Sequence, residues 1–372
     1  MAWFAASALS SARAPLAAAA TALAVARFPS RSEHRQDHYP QPFAWKAPIR
    51  CDGHAGPRLT CLGEAMLRYI PDPDTSSAPP SRFTSRWLQS AGGAELNLTV
   101  ALANLGWGGR ARWISVVPHG HIGESLMKLA SAAYSDGGAE NLILVRRAEG
   151  DLGIYHVWPL EGKVAFQRRN STFGQMDPDW FDDAFWLRVL SEGPDSSAPL
   201  HVLHLTGITP LIGPRPHKAW WRALLIARQL RREAAEAGDE SSSKRQRLLV
   251  TLDLNHRPAL GTFEDLWVMV EPHLGTLDVL VFSIGDLLNL GALLGIPEAA
   301  RMFEETEVPP GIAGAPQLEA AVKRALKAIQ ARLDHKCNIA VCCKQREPAL
   351  SVPGGPPVQL RFSMACLKGG DV

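Results

Sequence analysis

No surplus of one charge, no zinc knuckle, no membrane-length apolar run and no internal repeat is found in this chain. The formal net charge is +2 over 372 residues, so no basic field argues for nucleic acid as a partner. Six cysteines are present, Cys51, Cys61, Cys337, Cys342, Cys343 and Cys366, and none forms a CxxC pair. That spacing argues against a structural zinc site, and a disulfide framework does not suit a chain this long and apolar. No apolar run reaches the roughly 18 residues that span a bilayer, so no membrane partner is expected. Hydrophobic residues make up 46% and charged residues 20%. That balance excludes global disorder and supplies a large core.

Acidic residues are absent from the first 32 positions, Glu33 being the first. Residues 1–57 are rich in Ala, Ser and Arg, with Arg13, Arg27 and Arg31 punctuating the run. This composition fits a transit peptide for a chloroplast or mitochondrion. A secretory signal built on Ala17 to Ala26 and a leader without function are the rivals. The expected organisation is a leader over 1–57 and one domain over 58–372.

From Leu59 onward, short apolar runs alternate with helical patterns. Strands are expected at Leu59–Leu62, Arg112–Val117, Leu142–Val145, Val202–Leu205, Leu248–Leu252, Val279–Phe282 and Ile339–Cys342. Leu98, Ala101, Leu102 and Leu105 fall at i, i+3, i+4 and i+7, one face of a helix. Further helices are expected near Ser125–Ala133 and over Trp220–Ala237, Phe263–His273, Asp286–Leu294 and Leu318–Leu333. This alternation predicts an α/β fold with a mostly parallel sheet covered on both faces. Gly153–Trp158 and Lys163–Arg168 alternate in polarity around Pro159-Leu160-Glu161-Gly162. They read as a hairpin over 153–168, the kind of element that forms a lid.

Four constellations carry chemistry. Gly92-Gly93-Ala94-Glu95-Leu96-Asn97 brings two glycines to a helix start, where free N–H groups favour an anion. An ordinary turn into a helix explains it equally well. Leu205-Thr206-Gly207-Ile208-Thr209-Pro210 ends a strand, and a plain strand-to-loop turn accounts for it alone. Thr251-Leu252-Asp253-Leu254-Asn255-His256-Arg257-Pro258 sets Asp, Asn and Arg beyond a strand's carboxyl end, where ligands of open α/β sheets sit. Arg257 suits a carboxylate or phosphate; a surface loop is the alternative. In Ser283-Ile284-Gly285-Asp286, Asp286 suits magnesium near phosphates. The same spacing is a helix capping box, and both readings can hold together.

Taken in order, these motifs resemble the ribokinase-type (PfkB) carbohydrate kinases, most closely the 2-keto-3-deoxygluconate kinase branch. The resemblance covers roughly residues 58–350. It adds Gly63-Glu64 at the opening strand end and Leu203 to Pro210 at the central one. It implies a three-layer α/β/α sandwich with a small β lid, and ATP-dependent phosphorylation of a sugar's terminal hydroxyl with Mg2+. It implies that Gly93, Asn97, Tyr155, Arg168, Ile208 and Arg257 line the sugar site. Phe166 stands where this branch has Tyr. A lid of this kind also implies self-association. The family's second signature, Asp-Thr-Thr before Gly-Ala-Gly-Asp, supplies the catalytic base and an anion-binding helix start. Here residues 365–372 read Ala-Cys-Leu-Lys-Gly-Gly-Asp-Val. Asp371 is the candidate base, without the preceding Asp-Thr-Thr or the first Gly. The loop before it is eroded to Cys343-Lys344-Gln345-Arg346-Glu347-Pro348. The expectation is an incomplete kinase domain, its last helices missing, with little turnover. The alternative is a non-catalytic relative that binds a sugar or a protein.

Overall fold

The computed structural model describes residues 58–72, 86–103, 110–133, 143–158, 163–191, 200–236, 247–304, 315–334, 338–346 and 360–367. The leader, Leu105, the turn 159–162, most of the stretch after Arg346 and Asp371 lie outside the described residues.

Eight strands form the main sheet. They are β1 (Arg58–Leu62), β4 (Ala111–Pro118), β5 (Ile143–Ala148), β8 (Leu200–Thr206), β9 (Arg247–Asp253), β10 (Val279–Ser283), β11 (Asn338–Arg346) and β12 (Leu360–Leu367). Their order is β12-β11-β10-β9-β8-β1-β4-β5. Every pair is parallel except β11 with β12. The seven expected strands are all there, several longer than their apolar runs. β12 was not expected.

Period-two alternation explains why both faces are dry. Leu203, Leu205, Val250, Leu252, Leu280 and Phe282 join one large cluster. Cys61, Val202, Leu249, Val279 and Val281 join another on the opposite face, with Leu98 and Leu102 of helix α1 (Ala94–Leu102). The first face is covered largely by the long helix Pro214–Glu236. Its Trp220, Ala223, Leu224 and Ala227 recur at i, i+3, i+4 and i+7 and are buried. That helix begins six residues before the expected Trp220, because Pro214 and Pro216 are tolerated in a first turn. Helix α2 (Gly120–Ala133) packs Leu126 and Ala130 beside Trp113 and Val117. Layers of helices on both faces of a mostly parallel sheet give the expected α/β sandwich.

β8 is buried throughout, although it reads Leu-His-Val-Leu-His-Leu-Thr. Both histidines are satisfied: His201 bonds Thr60 Oγ1 at 2.9 Å and the Leu190 carbonyl at 3.2 Å. Burial pushes the His201 pKa down to about 4, so the ring is neutral.

Four more strands form a second sheet: β2 (Met66–Pro71), β3 (Trp87–Gly92), β6 (Ile154–Trp158) and β7 (Lys163–Gln167), in the order β3-β2-β6-β7. The expected hairpin is β6–β7, paired antiparallel. Sequence reasoning missed its two companions. The run Trp-Leu-Gln-Ser-Ala-Gly of β3 has no β-branched residue, and β2 carries an arginine amid apolar neighbours.

Candidate active site

In the main sheet, β1 continues to β4 and β5 on one side and β8 continues to β9 and β10 on the other. Chain order therefore reverses between β1 and β8. A crevice opens at such a reversal, beyond the carboxyl ends of the strands. The four-stranded sheet stands over it.

Two of the chain's four crossings between the sheets meet there. After β1 the chain runs Gly63-Glu64-Ala65, all buried, into β2. Trp113 Nε1 donates to the Gly63 carbonyl at 3.0 Å. After β7 comes Arg168, whose guanidinium donates to the Glu64 carboxylate in a buried ion pair. The Glu64 carboxyl is raised above the usual range by burial, with Arg168 opposing that rise.

The glycine pair sits where β3 enters α1. Gly93 has φ 148, a region costly for a side chain. A Cβ there would collide with the Glu64 carbonyl oxygen. Glu95, in the first turn, is fully buried and accepts from Thr206 Oγ1 at 2.6 Å. Burial raises its pKa to about 7, opposed chiefly by the Thr206 hydrogen bond.

A cavity of about 420 Å³ lies between the lid and these strand ends. Gly93, Asn97, Tyr155, Arg168, Ile208 and Arg257 all line it, from five separate stretches of the chain. The lid contributes a row set by register, Ser90–Arg68–Tyr155–Phe166. Tyr155 and Phe166 stack with ring centres 5.5 Å apart. The floor adds His204, Thr206, Asp253 and Asn255. Asn255 has φ 41, and its N–H donates to Asp253 Oδ1 at 3.1 Å. A non-glycine residue in the left-handed region at a cavity wall marks a functional place. Much of Arg257 is solvent-accessible, yet desolvation of its guanidinium still lowers its pKa, and Asp286 opposes that.

Asp286 does not line the cavity. It caps the helix Ile284–Leu293, accepting from Ser283 N at 3.0 Å and Ser283 Oγ at 2.7 Å through Oδ2. Among the described residues no group of three His, Cys, Asp or Glu side chains could hold a metal ion. These residues do not by themselves fit a magnesium site. Asp371 lies outside the described residues.

The sequence reading quoted Glu64, Glu95, Asp253 and Asn255 within motifs but assigned them no place in a site. His204 and Thr206 likewise stood in a motif without a place in a site, and Arg68 was missed altogether. For Arg68 a signal existed: in Met66-Leu67-Arg68-Tyr69-Ile70 the arginine shares the parity of Met66, which turns it toward the lid's inner face.

No family model matches the chain. Solved structures do. The 2-dehydro-3-deoxygluconokinase of Thermotoga maritima is 20% identical, with a TM-score of 0.53, over 84% of this chain and 81% of that one. A candidate 2-keto-3-deoxygluconate kinase from Enterococcus faecalis is 18% identical, with a TM-score of 0.50, over 84% of this chain and 76% of that one. The similar structures also include a PfkB protein from Polaromonas sp. JS666, at 18% identity and a TM-score of 0.49. The first two likenesses show that this chain has the fold of those sugar kinases. Among the described residues no helix is long and apolar enough to cross a membrane.

Proposed function

We propose that the chain is a sugar kinase of the ribokinase type whose acceptor is a sugar acid such as 2-keto-3-deoxygluconate, with ATP and Mg2+ as the phosphoryl donor. The observation that carries this reading is the cavity itself. Six residues that the motif resemblance assigns to a sugar site line one space of about 420 Å³, a volume suited to a small metabolite. A wall bearing Arg68 and Arg257, which form no ion pair among the described residues, beside the Glu64-paired Arg168 suits an acceptor with a carboxylate, because unmatched cations in one pocket are unfavourable without an anion.

In this reading the floor holds the sugar's hydroxyls through Asn97 and Asn255. The α1 start offers backbone N–H groups beside Gly93. The lid row of Tyr155 and Phe166 covers the ring and limits water, which protects a reactive phosphoryl group from hydrolysis. Asp371 is proposed as the base that takes the proton from the attacking hydroxyl. ATP, as its magnesium complex, supplies the phosphoryl group. The outer face of the lid stacks Tyr69 on His156 at 5.3 Å, with Trp87 and Trp158 beside them. We take that aromatic face as the surface for self-association and residues 1–57 as an organelle-import segment.

A specific observation favours a second reading, a sugar-binding protein with little catalysis. The residues before Asp371 lack the Asp-Thr-Thr and first Gly of the family signature. Losing one anion-hole donor costs about 10²–10³ in rate. The purified chain, titrated calorimetrically with 2-keto-3-deoxygluconate, fructose and ribose and then assayed with ATP and Mg2+, tests both. Preferential binding of the acid supports the substrate assignment, and equal binding of all three removes it. Turnover of about 1 s⁻¹ or more, the lower end for kinases, abolished by Asp371→Asn, selects the enzyme. Binding without turnover selects the second reading.

A further inference from the structure

The three arginines of the cavity are not equivalent. Arg168 is matched by Glu64 in a buried pair. It keeps an unpartnered Nε, which makes it a hydrogen-bond donor whose charge is already met. Arg257 donates only a long 3.4 Å bond to the neighbouring His256 carbonyl. Arg68 donates through Nε to Ser90 Oγ at 2.8 Å. Among the described residues Arg68 pairs with no carboxylate.

Register fixes where the Arg68 head goes. Arg68 lies opposite Ser90 on β3 and Tyr155 on β6, all three on the inner face of the lid. Ser90 holds Nε, the inner nitrogen, so the two terminal nitrogens remain for a ligand. The charges of Arg68 and Arg257 are both felt at the Tyr155 hydroxyl. One cation therefore stands on the lid beside Tyr155 and one on the floor, both lining the same cavity.

We propose that Arg68 is the specificity-determining residue for the substrate's anionic group, gripping a carboxylate in two-pronged fashion from the lid while Arg257 faces it from the floor. Arg168 then serves as a neutralised donor and hinge tie. The geometry of a guanidinium fork matches a carboxylate.

This inference rests on the sugar-acid reading above, and the test separates the two. The probes are 2-keto-3-deoxygluconate and 3-deoxyfructose, in which a hydroxymethyl group replaces the carboxylate. Each is titrated calorimetrically into the full chain and its Arg68→Gln and Arg68→Lys variants. A charged hydrogen-bonded contact implies a loss of about 10- to 100-fold for the acid in Arg68→Gln. The neutral sugar should bind as before, and Arg68→Lys should fall between. If the parent prefers the acid but Arg68→Gln weakens both sugars alike, or neither, Arg68 is not the determinant and the sugar-acid reading survives. If the parent shows no preference for the acid, the reading fails and this inference falls with it. Should Arg68→Gln lose its cooperative melt, Ser90→Ala gives the same readout. It frees Nε without removing the charge and should cost the acid alone about threefold; an equal loss for both sugars would overturn the proposal.

Discussion

Arg168 and Glu64 are 104 residues apart in sequence, yet their ion pair is buried where the lid meets the main sheet. One partner follows the last lid strand and the other follows the first core strand, so the pair ties these two crossings together. Removing one member leaves an uncompensated buried charge, which costs about 3–5 kcal/mol. Arg168→Met should therefore destabilise the chain strongly. The double variant Glu64→Gln/Arg168→Met should be less destabilised than the sum of the two single changes. Urea unfolding of the four proteins measures this, and strict additivity would show that the two groups are not coupled.

Glu95 predicts a pH dependence. Its folded-state pKa is raised from the ordinary 4.5 to about 7 by burial. Below about pH 4.5 the group is protonated whether folded or not. Between there and about pH 7 the unfolded chain releases a proton that the folded chain holds. The contribution to stability is thus full at low pH and is lost as pH rises through that window, by about 3 kcal/mol. His201, pushed down to about 4, gives the opposite slope over much of the same range. Only the difference between parent and variant isolates Glu95. Glu95→Gln keeps an acceptor for Thr206 and should gain on the parent from pH 5 to about pH 7 in denaturant titrations, then level off. Parallel profiles would contradict the burial.

Much of this was legible in the sequence, for identifiable reasons. Strands such as Val279–Ser283 are buried on both faces, so they read as continuous apolar runs bounded by polar turns. The cavity-lining residues Gly93, Asn97, Ile208 and Arg257 were legible within motifs because each sits near a strand end or helix start, where local chemistry is distinctive. The lid was half visible: β6–β7 alternates around a Gly-containing turn, whereas β2 and β3 have no such bracket. Pairing between distant segments was invisible. Nothing local to Glu64 announces Arg168, and nothing local to Arg68 announces Ser90 or Tyr155. Those relationships depend on register, which only the assembled sheets define.

Asn255 links backbone strain to the site. Its φ of 41 suits glycine and is tolerated by asparagine better than by most residues. Asn255→Gly should keep the loop's path and lose only the side chain's polar contribution. Asn255→Ala should lose both and destabilise the chain by about 1 kcal/mol more. Melting temperatures measure the first effect, and sugar titrations the second. If both variants bind sugar as the parent does, Asn255 shapes the loop without touching the ligand.

Ser283 and Asp286 decide between a helix cap and a metal-related role. Both capping bonds are made: Ser283 Oγ accepts from Asp286 N at 3.2 Å, and Asp286 Oδ2 accepts from Ser283 N at 3.0 Å. A cap of this type is worth about 1 kcal/mol. Ser283→Ala and Asp286→Ala remove the same reciprocal arrangement from its two ends. Each should therefore lower stability by a similar amount, and the double variant by little more than either, because the bonds are shared. Magnesium adds a second axis to the experiment. A cation held through Asp286 would bind the folded state and raise the parent's melting temperature with concentration, and Asp286→Ala would lose that rise while Ser283→Ala kept it. The geometry gives Asp286 a cap, and no cluster of metal-binding side chains occurs among the described residues. The expected outcome is thus the same magnesium response, or the same lack of one, in all four proteins. A magnesium-dependent gain confined to the proteins that retain Asp286 would assign this carboxylate to the metal.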